Sequence, residues 1–461
     1  MSAALVDEAA ALTAGLRQTG AAPAALAGML AGAVRAQPDH AAARIALAQN
    51  LWTAGDRTGA VAQYREAAAR RPKDPGAAAL LGIALVRRDL HAHGPGLAAG
   101  RDVLAQVAEQ APEIVDARLW LGIARLELRA TDDALATFDA LLPLLPQEAN
   151  LHVARGHALL RLGRLAEGWA EYAWRWRRDR KLALRAPADP LARPDPTAWR
   201  GRVVLLYAEQ GHGDTLQCLR YLDCVQRQGA RVVLEVQPAL ARLAAALPGV
   251  AVVAAGAAVP VHDVAVPLFH LPWAFGSVPA EVPYVHPVPA EVARWRHRLA
   301  ALPGLRVGLV WAGEPGAEGS DTRLIDRRRS LPLTALAPLA AVPGVSLVAL
   351  QKGEAAAQTP PPGMLLHDWA GELADFADTA ALMAGLDLVI TVDTAAAHLA
   401  GALGRDTWLL NRFDADWRWL AGRDDSLWYP TLRQFRQEAP GDWAGVVARV
   451  AAALAVRAGG R

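Results

Sequence analysis

Proline recurs at a near-constant interval in the first third of the chain: Pro38, Pro72, Pro112 and Pro146 are 34, 40 and 34 residues apart. A repeat of this length is typical of a helix–turn–helix unit. One such unit cannot bury its apolar face alone, so neighbouring units must stack and share a core. The spacing therefore predicts an α-helical repeat array, which we place at residues 1–178.

Small residues keep the same register along this array. Gly82, Gly122 and Gly156 are 40 and 34 residues apart, and in three units a small residue stands four positions before an aromatic one: Ala60/Tyr64, Ala134/Phe138 and Gly168/Tyr172. With these features the region resembles the tetratricopeptide repeat (TPR) family, an α-solenoid, over roughly residues 7–178. The resemblance implies a groove that binds a partner protein. An array that only supports the following domain is the alternative.

Composition excludes several classes of protein. The 461-residue chain is 53% hydrophobic with a net charge of +2, so charge gives no argument for a nucleic-acid partner or a membrane surface. Two cysteines, Cys218 and Cys224, are too few for a disulfide framework or a metal site. The apolar stretch 250–268 is broken by proline, histidine and aspartate, which excludes a membrane span there. The N-terminus lacks the basic and apolar regions of a secretory signal, so we expect a cytoplasmic protein.

A proline-rich linker is predicted at residues 179–198. Pro187, Pro190, Pro194 and Pro196 fall within it, and closely spaced prolines end helices and stiffen a connection. The Trp/Arg run just before the linker, residues 174–178, is expected to pack against the next domain. Binding of phosphate or nucleic acid by this run is the alternative.

Residues 199–290 are predicted to form a first α/β half. An apolar strand at 202–207 is followed by a loop with Gly211 and Gly213, and then by an amphipathic helix and a second strand. This is a βαβ unit whose glycine loop lies at the edge where such sheets bind ligands, and glycine permits close backbone approach there.

Asp214, directly after this loop, has two interpretations. With Gln217 it fits a capping box, which is a structural role. A carboxylate at the mouth of a parallel sheet also suits a general base, and one side chain can do both.

Residues 291–461 are predicted to form a second Rossmann-like half, with strands at 305–311, 345–350, 388–392 and 407–410, the last of the chain. The strand at 388–392 is followed by Asp393, Thr394 and an Ala-rich helix. A helix N-terminus at a strand's carboxyl end suits a phosphate group. The alternative is an ordinary strand–turn–helix with Asp393 or Thr394 as N-cap.

Charged and aromatic residues near these strand ends are further candidates. Arg329, Ser330 and Lys352 could clamp a diphosphate, although a solvated surface run is the alternative. Trp417 and Trp419 could stack on a sugar face, or they could simply pack.

Two Rossmann-like halves around a cleft resemble the GT-B plan, and the motifs resemble glycosyltransferase family nine, the heptosyltransferases. Gly213-Asp214 matches that family's Gly-Asp motif, which implies that Asp214 is the catalytic base. Asp393-Thr394 and His398 match its donor motif, with Ala395 in place of a glycine. Bacterial proteins that join TPRs to such a domain share five motifs with the chain, which implicate the following further residues: Gln210, Gly211, Trp311, Gly313, Gln351, Lys352, Trp417 and Trp419. His212 stands where an aliphatic residue is common in the first of these motifs, and it is a further candidate for contact with the acceptor or the sugar.

The resemblance implies an inverting glycosyltransferase that needs neither a metal nor a cofactor. The donor would be a nucleotide sugar, and the acceptor a protein held by the TPR groove, with flagellin as the acceptor linked to some relatives. Two alternatives stay open. One is a non-catalytic TPR adaptor with a relic GT-B domain, and the other is a lipopolysaccharide heptosyltransferase-like enzyme.

Overall fold

The computed structural model of the protein describes residues 2–17, 23–179, 185–318 and 320–460. The chain divides into two compact units, Met1–Ala158 and Leu159–Arg461. Helices of the predicted array beyond residue 158 thus belong to the second unit. The predicted linker lies partly outside the described residues, at 180–184, and the division into four domains stays a prediction.

Antiparallel helix pairs form the described part of the first unit. Asp56 and Asp74 start two of the helices, each accepting a hydrogen bond from a backbone N–H of the first turn (Gly59 N, 2.8 Å; Gly76 N, 2.9 Å). The helices are α1 Ser2–Arg17, α2 Pro23–Ala36, α3 Ala41–Thr53, α4 Arg57–Arg70, α5 Pro75–Asp89, α6 Gly96–Gln110, α7 Val115–Glu127, α8 Thr131–Leu141 and α9 Ala149–Arg161, whose last turn enters the second unit.

Two of the repeated glycines lie where two helices touch. A Cβ atom on Gly122 of α7 would lie 2.4 Å from the ring of Phe138 on α8, and one on Gly82 of α5 would lie 2.7 Å from Leu104 on α6. Phe138 is fully buried. The small residues therefore allow the close approach on which each helix pair depends.

The first sheet of the second unit has four parallel strands in the order β3-β2-β1-β4. Its strands are β1 Val203–Tyr207, β2 Arg231–Val236, β3 Val250–Ala254 and β4 Val264–Pro267. The helices before and around it are α10 Leu165–Tyr172, α11 Arg175–Arg178, α12 His212–Cys218, α13 Leu222–Arg227, α14 Pro238–Ala244 and α15 Leu271–Phe275.

The second sheet has six parallel strands in the order β10-β9-β8-β5-β6-β7. They are β5 Leu305–Val310, β6 Val345–Ala349, β7 Leu366–Asp368, β8 Leu388–Val392, β9 Thr407–Asn411 and β10 Leu432–Arg436. The accompanying helices are α16 Pro289–Leu299, α17 Asp321–Arg329, α18 Ala337–Ala340, α19 Phe376–Met383, α20 Ala395–Ala402 and α21 Trp443–Gly459.

The predicted fold class, helical repeats followed by two Rossmann-like halves, is confirmed. Four of the described strands were not predicted, namely β3, β4, β7 and β10, and the strand predicted to be the last is followed by β10. Its sequence, LRQFR, carries two arginines and does not look like a buried strand, but it lies at the edge of the sheet where polar side chains reach solvent. Among the described helices, none combines the length and apolarity needed to cross a bilayer.

Replacing Gly122 by Ala should destabilise the first unit by about 1–3 kcal/mol, because the added methyl group overlaps the buried Phe138 ring. Gly28→Ala is the matched control: Gly28 also lies inside a helix, with open space around it, so alanine there should stabilise by about 0.5–1 kcal/mol. Urea unfolding of both variants measures the difference. Equal effects of the two substitutions would contradict the packing account.

Candidate active site

A cavity of about 710 Å³ lies at the carboxyl ends of the strands of both sheets in the second unit. Loops after β1, β5, β6 and β8 form its wall, as the topology of parallel sheets predicts. Of the seventeen candidate residues, thirteen line it: Gln210, Gly211, His212, Gly213, Asp214, Gly313, Arg329, Gln351, Lys352, Asp393, Thr394, Ala395 and His398.

Asp214 lies in the first turn of α12, and both of its carboxylate oxygens are engaged. Oδ2 accepts a hydrogen bond from the backbone N–H of Gly211 (2.8 Å), the N-cap of α12, which is the half of a capping box that the N3 side chain supplies. Oδ1 accepts one from Nη2 of Arg418 (2.5 Å). Asp214 thus has a capping role, although its partner is Gly211 and not Gln217.

The pKa of Asp214 is raised above its ordinary value. Burial is the main cause, because it penalises the charged form, while Arg418 and the Gly211 N–H act in the opposite direction. A carboxyl group with a raised pKa at a cavity wall has the properties of a candidate general base.

Arg418 is a cavity residue that the sequence analysis missed. Its Nη1 donates to Asp416 (2.6 Å) and its Nε to Gln217 (3.0 Å), and its guanidinium lies 4.2 Å from the centre of the Trp417 ring. Burial opposes ionisation of Asp416, but the charge and hydrogen bonds of Arg418 and the charge of Arg412 together outweigh it and lower the pKa of that carboxyl. Asp416 and Arg418 both line the cavity.

The tryptophans of the same motif do not reach the cavity, which corrects their assignment to sugar stacking. Trp417 is 6% exposed and packs edge-on against Trp169, with ring centres 5.1 Å apart. Trp419 is 0% exposed and stacks on His398 at 5.4 Å. The alternative of plain packing is the one that the structure favours. Within this Asp-Trp-Arg-Trp motif, the two charged residues line the cavity and the two tryptophans do not.

Trp311 and Ser330 also lie off the cavity wall. Trp311 is 1% exposed in the core of the second sheet, so its ring cannot contact a ligand. Ser330 accepts a hydrogen bond from the backbone N–H of Gly313 at 2.9 Å and thereby holds the loop after β5. A side chain at Gly313 would displace its neighbours, since a Cβ atom would lie 2.1 Å from Oδ1 of Asp326 and 2.5 Å from Nη2 of Arg329.

Gln351 lines the cavity with an amide group that is fully occupied. Its Oε1 accepts from the backbone N–H groups of Trp311 and Ala312, both at 2.9 Å, and its Nε2 donates to the carbonyl oxygens of Ala312 (3.0 Å) and Lys352 (2.8 Å). The side chain therefore joins the loops after β5 and β6, and it has no hydrogen-bonding capacity left for a ligand.

Helix α20 begins at the cavity. Thr394 is its N-cap, and the threonine side chain makes no capping hydrogen bond. Ala395 and Ala396 of the first turn line the wall, so the N-terminal end of the helix is placed to meet an anion. Burial, together with the neighbouring charge of Asp416, raises the pKa of Asp393 and reduces the negative charge next to the helix start.

Two cationic side chains flank this helix end. Arg329 donates from Nε to Asp326 (2.9 Å) and from Nη1 to the backbone oxygen of Asp393 (3.2 Å). Lys352 donates to the carbonyl oxygens of Ala370 (2.6 Å) and Leu373 (2.7 Å). Both line the cavity, and both are held in place by the protein.

His398 and Gly213 bring the two halves together. A Cβ atom on Gly213 of α12 would lie 2.7 Å from Cδ2 of His398 on α20, so glycine is needed at this contact. His398 is 4% exposed, and its Nδ1 lies 2.8 Å from the hydroxyl of Tyr429. Burial, aided by Arg418, lowers its pKa to about 3, so the imidazole is neutral near pH 7.

Other wall residues surround the cavity mouth. The ring of His212 lies 5.2 Å from that of Phe376, one from each half. Gln210 donates to the hydroxyl of Tyr172 (2.9 Å), which ties the glycine loop to α10. Glu314, Asp375 and Phe376 also line the wall and were not among the candidates; Asp375 is the N-cap of α19 and Phe376 its first residue.

No protein-family model matches the chain. Protein FlbA of Caulobacter vibrioides is 32% identical over 378 residues, which cover 75% of this chain and 62% of FlbA, so the chain spans less than two thirds of that relative. Escherichia coli ADP-heptose LPS heptosyltransferase II has 14% identity and a TM-score of 0.36, with 55% of this chain and 99% of that one covered. The TPR protein TTC0263 of Thermus thermophilus has 22% identity and a TM-score of 0.31, with 40% and 96% covered. Structural similarities with TM-scores this low give no basis for inferring function.

His398→Gln should make the pH dependence of unfolding shallower. The folded-state pKa is about 3, whereas an unfolded histidine titrates near 6.5. Between these values the unfolded state binds the extra proton, so the wild-type free energy of unfolding falls with falling pH. Between pH 6.5 and 5, the slope of the free energy of unfolding against pH should be smaller in the variant by up to about 1.4 kcal/mol per pH unit.

Urea unfolding followed by tryptophan fluorescence measures this effect, since 13 of the 15 tryptophans follow residue 158. His297→Gln, at an exposed position on α16, is the matched control. An unchanged slope in the His398 variant would show that the ring is not protected from protonation.

Proposed function

We propose that this chain is an inverting glycosyltransferase that moves a sugar from a nucleotide-sugar donor to a hydroxyl group of an acceptor protein. One observation carries the proposal: Asp214 of the first half and the N-terminal end of α20 of the second half line the same cavity. An acid–base group and an anion-binding helix end within one cavity are the two elements that such a transfer requires.

The donor phosphates lie at the start of α20 in this proposal. The partial positive charge of the helix end, Arg329 and Lys352 stabilise the negative charge that develops on the departing phosphate. No divalent cation and no cofactor are needed, because these three groups meet that charge.

Asp214 acts on the acceptor. Its carboxylate takes the proton of the acceptor hydroxyl while the hydroxyl oxygen forms a bond to the anomeric carbon. The bond from that carbon to the phosphate oxygen breaks on the opposite face, so the configuration inverts and the nucleotide leaves with the bonding electrons. A cavity enclosed by both halves limits competition by water.

The acceptor is a protein held by the TPR array, and flagellin is the candidate that the motif resemblance implies. The transfer is proposed to take place in the cytoplasm. A stacked helical repeat supplies the extended surface that a protein acceptor needs, whereas a lipopolysaccharide acceptor would not require one.

A non-catalytic adaptor is the second candidate, and one observation favours it: both oxygens of Asp214 are already engaged within the protein. Calorimetry with UDP, ADP, GDP, CDP and CMP separates the two functions. Binding of one of these nucleotides at the cavity supports the transferase. No binding of any of them supports the adaptor.

Asp214→Asn should reduce transfer of labelled sugar to a co-expressed acceptor by about 10²–10⁴-fold, since asparagine cannot accept the proton. The side-chain oxygen of asparagine can still accept the Gly211 hydrogen bond, so the loop should persist and nucleotide binding should change little. Asp223→Asn, at an exposed position on α13, is the matched control. Undiminished transfer by the Asp214 variant would remove this residue from the mechanism.

A further inference from the structure

We propose that Arg418 is a positioning residue that keeps Asp214 ionised and fixes its orientation at the cavity. The inference rests on the proposed function, because it concerns the group that would act as base there. Arg418 belongs to the second half and Asp214 to the first, so the carboxylate of one half receives its counter-ion from the other.

The guanidinium is placed by three separate partners. Nη2 donates to Asp214, Nη1 to Asp416 at 2.6 Å and Nε to Gln217 at 3.0 Å. Arg418 is 8% exposed, and its guanidinium lies 4.2 Å from the Trp417 ring centre and 5.2 Å from that of Phe269. A rigid planar fork with several donors can satisfy this arrangement, whereas a single ammonium group cannot reach all three partners.

Asp214 needs such a partner because of its surroundings. Burial favours its neutral form, and a neutral carboxyl cannot accept a proton. Arg329 and Lys352, the other cations on the cavity wall, donate their hydrogen bonds to Asp326, Asp393, Ala370 and Leu373 and not to Asp214. Among the described residues, Arg418 is the cation that bonds Asp214.

Other ionisable groups also act on Asp214. The charge of Asp416 acts to raise the pKa of Asp214. The charge of Asp214 acts in the same direction on the pKa values of four neighbours: Glu209, His212, Cys218 and Tyr172. His398 faces the same turn of α12 through Gly213 and is neutral near pH 7. None of these is a cation near pH 7 in this structure, since burial also lowers the pKa of His212. Loss of Arg418 would therefore leave the negative charge without a close counter-ion.

Arg418→Met tests the inference in the transfer assay. The acidic limb of the kcat–pH profile should move upward by about one to three pH units, which is the usual effect of an arginine on an adjacent aspartate. The KM for the nucleotide sugar should change little, whereas direct contact between Arg418 and the donor would raise it. Arg423→Met, which removes a half-exposed ion pair with Asp425, is the matched control and should leave the profile in place.

Arg418→Lys separates charge from orientation. The ammonium group restores the positive charge, so the acidic limb should return toward that of the wild type. It cannot hold Asp214, Asp416 and Gln217 together, so kcat should recover only in part. Full recovery of kcat by lysine would overturn the positioning role, and so would an unshifted acidic limb in the methionine variant.

A measurement without substrate distinguishes failure of this inference from failure of the proposed function. In protein with ¹³C-labelled aspartate carboxyl groups, Asp214→Asn identifies the resonance of Asp214, and its titration midpoint should rise in Arg418→Met. An unchanged midpoint overturns the inference even if transfer is observed. If the wild type transfers no sugar while the midpoint rises, the transferase proposal fails and the control of Asp214 by Arg418 stands.

Discussion

A partly buried group of charges links the two α/β halves: Arg418 bonds Asp214 across the halves and Asp416 within its own. Removing ions from water costs several kcal/mol each, and apolar replacements of buried ion pairs are often neutral or stabilising. Stability alone is therefore a weak reason for these charges. Their position on a cavity wall offers another reason, since a carboxylate that reacts there must stay ionised and correctly oriented.

Most of the cavity wall follows from one topological rule. Strands β1, β5, β6 and β8 are parallel to their neighbours, so the loops that follow them collect at the carboxyl edges of the sheets. Each of these strands is a short apolar run that ends in glycine or polar residues, and such a run can be recognised in the sequence. This is why thirteen of seventeen candidate residues line one cavity, although nothing in the pattern specified where their side chains point.

Side-chain direction could not be predicted where the backbone is irregular. Trp417–Trp419 form a single turn of 3₁₀ helix, and one such turn has neither the period of a strand nor that of an α-helix. No pattern could therefore show that Asp416 and Arg418 face the cavity while the two tryptophans enter the core. The sequence placed Gln351 at the cavity correctly, but it could not show what the side chain does there. All the hydrogen bonds of its amide are made with backbone groups of the protein.

The charges on the wall also restrict how a donor could lie in the cavity. Five carboxylates and three cations line the cavity. Arg418 donates hydrogen bonds to Asp214 and Asp416, whereas Arg329 and Lys352 flank the start of α20. A phosphate group would be repelled near Asp214 and stabilised at the helix end. In the proposed reaction the nucleotide must therefore lie against the second half with its sugar directed toward Asp214. That orientation would place the anomeric carbon between the departing phosphate and the base, as an inverting displacement requires.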